Sequence, residues 1–150
     1  MGKRYTGNAN VAVGTDKTIL TLISATTVRP RLVDVLIACG ATPADLATLF
    51  YLQRFTAAGT EGSGLVPAPL DPDDPAALAD FGVGVFGAEP TYTAAKILLA
   101  IALNQRATFR WVASPGFELV APATAANGIG CKSSASGGTA AHAVTMLFEE

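Results

Sequence analysis

Short apolar runs separated by turn-forming residues are the feature of this sequence that most constrains its fold. Fifteen glycines and nine prolines punctuate the chain. The runs are rich in β-branched and aromatic side chains, and they cover residues 18–24, 31–39, 46–55, 81–86, 96–103, 107–112, 117–120 and 142–149. Short runs at this spacing are typical of an all-β sandwich or barrel. We therefore predict an all-β chain of about eight strands with long loops.

The run at residues 96–103 (KILLAIAL) is apolar on both faces of the predicted strand. Successive side chains of a strand point to opposite faces, so one face carries Ile97, Leu99, Ile101 and Leu103. After Lys96, the other face carries Leu98, Ala100 and Ala102. Apolar faces need a cover, so we expect a sheet on one side and another sheet or another subunit on the other.

Two segments also fit the start of a helix. Residues 42–45 (TPAD) offer Thr as the N-cap, Pro in the first turn and an acid three residues after the cap. A helix over residues 43–53 is therefore an alternative to a turn that leads into a strand, and we favour the turn and strand. Residues 74–80 are a second, shorter helical candidate.

The length fits a single domain, residues 1–150, in which residues 1–14 form an N-terminal arm. Residues 57–75 are rich in glycine and proline and long for a loop in a compact domain. Such loops are usually functional or contact loops. Residues 133–139 (SSASGGT) are predicted to form a flexible connection.

Charged side chains make up only 15% of the chain, and the net charge is −2. An average soluble domain has about 25%, and a disordered charged tail would have more, so such a tail is excluded. The ten basic residues are scattered, so no nucleic-acid partner is predicted. The chain opens without the apolar stretch of a secretory signal, and no run reaches the ~20 residues of a membrane helix. No membrane partner is therefore predicted.

No cluster of residues has the spacing of a metal or cofactor site. Cys39 and Cys131 match no zinc or redox spacing, and we favour two free thiols over a disulfide between them. Asp71, Asp73 and Asp74 offer the oxygen ligands that hard cations prefer, but the glycine and the distal glutamate of an EF-hand are missing. We favour a solvated turn there over a weak calcium site, and we predict no metal and no cofactor.

Two glycine-containing segments resemble nucleotide-binding loops only in part. Residues 82–87 (GVGVFG) have the glycines of a dinucleotide loop, but Pro90 would interrupt the helix that must follow. No acid occurs in residues 90–117, so the ribose-binding carboxylate is absent at its expected distance. Residues 14–18 (GTDKT) have Asp16 where a phosphate loop needs glycine. Both segments are predicted to be bends or turns.

No residue is predicted to be catalytic, and the chain is not predicted to be an enzyme. His142 is the only histidine, and it accompanies no nucleophile motif. Trp111 and Phe109 could suggest a ligand platform around Arg110, but alternation along a strand favours core positions for the two rings and an outward Arg110.

Nine blocks of residues resemble a family of small virion proteins from tailed bacteriophages. They run in order through essentially the whole chain, at residues 4–6 (RYT), 24–30 (SATTVRP), 41–45 (ATPAD), 52–60 (LQRFTAAGT), 70–77 (LDPDDPAA), 89–91 (EPT), 103–113 (LNQRATFRWVA), 127–130 (NGIG) and 148–150 (FEE). Residues 80–88 and 131–138 depart from the family pattern. The resemblance implies a capsid decoration, or cement, protein with an antiparallel β-sandwich of jelly-roll type.

The resemblance further implies a homotrimer on the outer capsid surface of the virion, made in the cytoplasm of the host bacterium and bound across neighbouring major capsid subunits. Contact elements are expected in residues 1–10, in the 57–75 loop and at the C-terminus, with the residues Arg4, Tyr5, Leu65, Leu70, Asp71, Phe148, Glu149 and Glu150. The alternative is a receptor- or glycan-binding head of a phage fibre or tail, because the same fold hosts such functions.

Overall fold

The computed structural model describes residues 2–136 and 140–150, and this part of the chain contains strands and no helix. Twelve strands are described: β1 Arg4–Ala12, β2 Lys17–Ile23, β3 Arg31–Cys39, β4 Ala47–Ala57, β5 Ser63–Leu65, β6 Ala68–Pro69, β7 Asp80–Val83, β8 Thr91–Asn104, β9 Phe109–Val112, β10 Leu119–Val120, β11 Gly128–Ser136 and β12 Ala141–Glu149. It follows that none of the described residues forms a helix able to cross a membrane.

The strands form two antiparallel six-stranded sheets that together make a β-sandwich. Sheet A has the order β10-β3-β12-β1-β6, and β9 also pairs with β3. Sheet B has the order β5-β7-β2-β11-β4-β8. The chain crosses from one sheet to the other between β1 and β2, between β2 and β3, and between β3 and β4, so each sheet is built from strands that are distant in sequence.

The core between the sheets is formed by the inward side chains of strands that alternate as predicted. On β12 every second residue is buried, and Val144, Met146 and Phe148 pack with side chains from the other sheet. The ring of Phe148 stacks on Tyr5 at 5.3 Å and meets the edge of Phe81 at 5.5 Å. Burying each large apolar side chain contributes about 1.5–3 kcal/mol, so this aromatic cluster is a main link between the sheets.

Each of the eight predicted apolar runs contains a strand, and the all-β prediction is confirmed. The preference for a strand over a helix in residues 43–53 is also confirmed, because β4 begins at Ala47 and continues to Ala57. The helix considered for residues 74–80 is wrong, since this segment consists of bends, irregular backbone and the first residue of β7.

Three expectations about loops need correction. Residues 2–14 are not an arm, because β1 lies inside sheet A between β12 and β6, and Met1 lies outside the described residues. Residues 133–136 belong to β11 rather than to a flexible connection, and residues 137–139 lie outside the described part. The 57–75 loop contains β5 in sheet B and β6 in sheet A, so it joins one edge of each sheet. With β1 and β11, these strands bring the count above the expected eight.

Part of the outer face of sheet B is covered by the first residues of β8 and the segment before them. Tyr92 lies edge-on to Phe55 at 6.1 Å, and its hydroxyl is 2.9 Å from the Thr18 Oγ1. A Cβ at Gly130 would collide with the Tyr92 ring, so glycine is needed beneath it. Glu89 accepts a hydrogen bond from the Thr18 backbone N–H at 3.0 Å. This cover leaves the far half of β4 and β8 open.

Candidate interaction surfaces

The uncovered outer face of β4 and β8 is apolar, and we call its four residues Leu49, Tyr51, Ala100 and Ala102 the β8 face. In the antiparallel register Leu49 faces Ala102 and Tyr51 faces Ala100. Both alanines are exposed, and Leu49 and Tyr51 are half-buried. The intervening positions, such as Ile101 and Leu103, point into the core and are buried. The two predicted apolar faces are found from Leu99 onward, but a register shift at Leu52/Gln53 corrects the start of the run, where Ile97 is exposed and Leu98 packs against the core.

The β8 face lies beside a long sheet edge. β8 has 14 residues and is the last strand of sheet B. No strand pairs with its second edge within residues 2–136 and 140–150. The opposite edge of sheet B ends in the three-residue strand β5, and sheet A ends in the two-residue strands β6 and β10. Short edges of that kind discourage pairing with other chains, whereas a long one invites it.

A groove of about 440 Å³ on the outer face of sheet A is the second surface, and we call it the arginine groove. Its charged residues are Arg4, Asp34, Arg110, Glu118 and Glu149. The remaining lining is largely apolar and comes from Val33, Leu70, Val112, Ala113, Pro115 and Leu147. The groove therefore combines apolar walls with both signs of charge.

The strongest charged contact in the groove joins Arg110 and Asp34. Arg110 donates to Asp34 from Nε at 3.1 Å and from Nη2 at 2.5 Å. The Asp34 carboxylate faces outward because a register shift between β3 and β12 places it opposite Leu147, on the side away from the core. This hydrogen bond raises the pKa of Arg110, which stays charged. The outward Arg110 is as predicted, and Phe109 and Trp111 pack against the core.

In this groove the cations lie outside and the acids lie inside. The Arg110 side chain is 63% exposed, against 10% for Asp34. Arg4 is 56% exposed over Glu149, which is 24% exposed, and their closest N–O distance is 3.4 Å. Glu118 accepts the Gly116 N–H at 3.0 Å, which lowers the pKa of its carboxyl. The charged groups that face solvent in the groove are therefore mainly guanidinium groups.

An exposed acidic turn adjoins the groove. Asp71, Asp73 and Asp74 form a turn in which Asp71 accepts the Asp73 N–H on its carboxylate and the Asp74 N–H on its carbonyl. Leu70 precedes the turn, lines the groove, and donates its N–H to the Arg4 carbonyl at 2.9 Å. The predicted turn is confirmed. In the described part of the chain, no three His, Cys, Asp or Glu side chains meet as a metal site.

The eight predicted contact residues have three kinds of surroundings: four lie at the groove or the acidic turn, two pack against other parts of the chain, and two are buried in the core. Arg4, Leu70 and Glu149 line the groove, and Asp71 is exposed in the acidic turn. Leu65 packs against the core, and the Glu150 carboxylate accepts the N–H groups of Leu78 and Ala79.

Tyr5 and Phe148 need correction, because they are buried in the core at 1% and 0% exposure and are not available to a partner. Asp34 and Arg110 were not on the predicted list. A lone acid inside the apolar run 31–39 was the signal that could have pointed to them.

The residues considered for catalysis, redox chemistry or nucleotide binding lie in strands or in turns. His142 is buried, its ring is 5.0 Å from Phe50, and its Nδ1 is 3.0 Å from the Ala140 carbonyl. Both cysteines are free, and burial raises the pKa of Cys131 to about 12. Gly84 has φ +91° in the turn after β7, and Asp16 has φ 53° in the turn before β2, as expected for bends.

Comparison with known proteins finds no family model, no curated protein and no solved structure that matches the chain. The resemblance to decoration proteins therefore depends on the quoted residue blocks alone. Function must be argued from the β8 face and the arginine groove.

Proposed function

We propose that the chain is a structural virion protein that decorates and stabilises a bacteriophage capsid. It binds as a homotrimer across neighbouring major capsid subunits, on the outer surface of the particle. It functions by binding other protein surfaces and carries out no catalytic step. The residue blocks quoted above suggest this class, and the β8 face supports it independently of them.

The observation that carries the proposal is the β8 face beside the free edge of β8. Four apolar side chains face outward there, with no strand on the outer edge of β8 among the described residues. In a monomer this surface would be exposed to solvent, and the free edge of β8 could pair with strands of other chains. Permanent binding to a lattice of capsid subunits would keep the surface buried against those subunits. The low charge, 15% of residues, fits the same role.

The order of eight of the twelve described strands also supports the proposed jelly-roll type. In sheet A, β1, β12, β3 and β9 are neighbours, and in sheet B, β2, β11, β4 and β8 are neighbours. Eight strands in two four-stranded sheets, with the chain crossing between them, are what a jelly roll requires, and viral capsid proteins use this architecture often.

The tyrosines and the tryptophan favour decoration over the glycan-binding alternative, and the one largely exposed aromatic ring among the described residues is Phe117, at 76%. A sugar site needs exposed rings beside polar groups. Tyr5 is buried, Trp111 packs against the core, and the Tyr92 ring is enclosed by Phe55 and Lys132. Tyr51 is only half-exposed.

Capsid binding by wild type and by two double variants tests the proposal. Light scattering at micromolar concentration should give a trimer, and the protein should co-sediment with expanded capsids that lack decoration protein. The variant A100D/A102D places charges on the β8 face, and burying unpaired charges in a contact should weaken capsid binding by about 100-fold or more.

The matched control is A123D/A125D, which adds the same charges at exposed loop positions and should bind like wild type. A monomeric wild type that fails to bind capsids contradicts the proposal. Counting copies per virion separates the alternatives, because hundreds indicate decoration and a few dozen indicate a fibre or tail.

A further inference from the structure

The arginine groove and the acidic turn are neighbouring patches of opposite charge on one protomer. Leu70 joins them, since it lines the groove and directly precedes Asp71. The guanidinium groups of Arg4 and Arg110 are more exposed than the Glu149 and Asp34 carboxylates with which they pair. The three carboxylates of the turn belong to residues for which no salt bridge occurs in the described part of the chain.

We propose that the acidic turn of one copy docks into the arginine groove of the next copy and closes a three-membered ring. This inference rests on the proposed homotrimer and names its contact. The occupant of the groove is thus a second copy of the chain, and its ligands are the Asp71, Asp73 and Asp74 carboxylates.

Both the arginine groove and the acidic turn retain hydrogen-bonding groups that are free for such a contact. Arg110 binds Asp34 through Nε and Nη2, which leaves Nη1 as a donor, and Arg4 binds Glu149 through Nε alone. In the turn, only Asp71 uses a carboxylate oxygen for a hydrogen bond to the backbone. Charge-assisted hydrogen bonds between guanidinium and carboxylate groups are both stronger and more directional than neutral ones.

The adjacency of the two patches fits a ring. A cyclic oligomer other than a dimer needs two different patches on each protomer, which meet in a head-to-tail contact. In a trimer each protomer fills a wedge, and its two contact patches converge at the three-fold axis. The shared residue Leu70, 50% exposed, would then lie near the axis. Val112, 58% exposed on the groove wall, supplies an apolar anchor beside the charges.

The β8 edge is a poorer choice for the trimer contact. Two copies of one edge strand that pair antiparallel are related by a two-fold axis, and such a contact gives a dimer and stops. Assigning the trimer to the groove and the turn leaves the β8 face, on the other side of the sandwich, for the capsid.

Two variants of equal net charge test the proposal. D71N/D73N/D74N neutralises the turn, and D16N/D45N/D80N neutralises three exposed acids elsewhere. Sedimentation velocity should show the trimer of the turn variant weakened by about tenfold or more, while the control matches wild type. Equal behaviour of the two variants overturns the proposed contact but not the trimer. A monomeric wild type overturns both.

Cross-linking gives a readout that misfolding cannot imitate. In a Cys39→Ser background, the double variant D73C/V112C places one thiol on each patch. A short bismaleimide should then link protomers into covalent trimers, whereas D73C alone and V112C alone should stop at monomers or dimers. A double variant that yields no covalent trimer contradicts the proposed contact.

Discussion

The β8 face and the arginine groove lie on opposite sides of the same sandwich and differ in kind. The first consists of uncharged side chains beside a long sheet edge, and the second is a concave surface with guanidinium groups outside and carboxylates inside. Apolar area mainly supplies affinity, whereas charge patterns mainly set register and partner choice. The chain thus has one surface suited to broad adhesion and one suited to a defined neighbour.

Adjacent residues at the end of β12 separate the core from the groove. Phe148 is fully buried, so Phe148→Ala should cost about 3–5 kcal/mol of unfolding free energy. Glu149 pairs with the exposed Arg4, so Glu149→Ala should cost less than about 1 kcal/mol. Urea unfolding of both variants measures the difference. Similar losses in the two variants would contradict the assignment of Phe148 to the core.

A charge at Leu70 should break the trimer and leave the β8 face intact. Leu70→Asp would gather three further carboxylates near the proposed axis, so we expect the trimer to weaken by about 100-fold. Val66→Asp, at a position 74% exposed in the same segment, is the control. Light scattering over a dilution series measures both. If the Leu70→Asp trimer were as tight as that of the control, the groove would not form the trimer contact.

Salt should distinguish the two surfaces in the wild-type protein. Raising NaCl from about 50 mM to about 500 mM shortens the Debye length severalfold, so the trimer should weaken by about tenfold. Binding through the β8 face should change by less than about twofold, since its four side chains are uncharged. Sedimentation and capsid binding at both salt concentrations test this. A trimer insensitive to salt would mean that apolar contacts hold it.

Acid pH should weaken the core between the two surfaces. Burial lowers the pKa of His142 in the folded chain, although the Ala140 carbonyl partly opposes this. As pH falls below the ordinary value of 6.5, the unfolded chain takes up the proton first. Stability is therefore full above pH 6.5 and declines as pH falls towards the folded pKa, by at most about 1.4 kcal/mol per pH unit.

The control for this pH dependence is His142→Gln, which cannot titrate. Urea unfolding from pH 7.5 to 5 should show a shallower decline in stability for the variant than for wild type. Parallel curves would show that His142 does not contribute, and that carboxylates alone cause any acid sensitivity.

The sequence pattern predicts the strands in which apolar and polar side chains alternate strongly. It does not predict the strands in which glycines allow other parts of the fold to approach closely. β1 reads as polar because Asn8 and Asn10 face outward, and its Gly7 makes room for the Phe81 ring. β11 carries Gly128 and Gly130 where a Cβ would collide with Leu22 and Tyr92. Both strands lack the bulky alternation that marks a strand, for reasons that exist only in the folded chain.

The two surfaces were predictable to different degrees. The β8 face follows from the run 96–103, because two apolar faces on one strand are visible in the sequence. The arginine groove does not, since Asp34 and Arg110 are 76 residues apart and meet only through the pairing of β3 with β9. Tyr5 and Phe148 lie near the ends of the sequence, but their place in the alternation of β1 and β12 buries them in the core.

A low-resolution cryo-electron microscopy map of expanded capsids incubated with the purified chain tests the central claim most directly. The account predicts three-fold density repeated over the outer lattice, at the junctions of neighbouring major capsid subunits, with sheet B of each protomer towards the shell. Bare capsids, or density confined to the tail or its fibres, would contradict it.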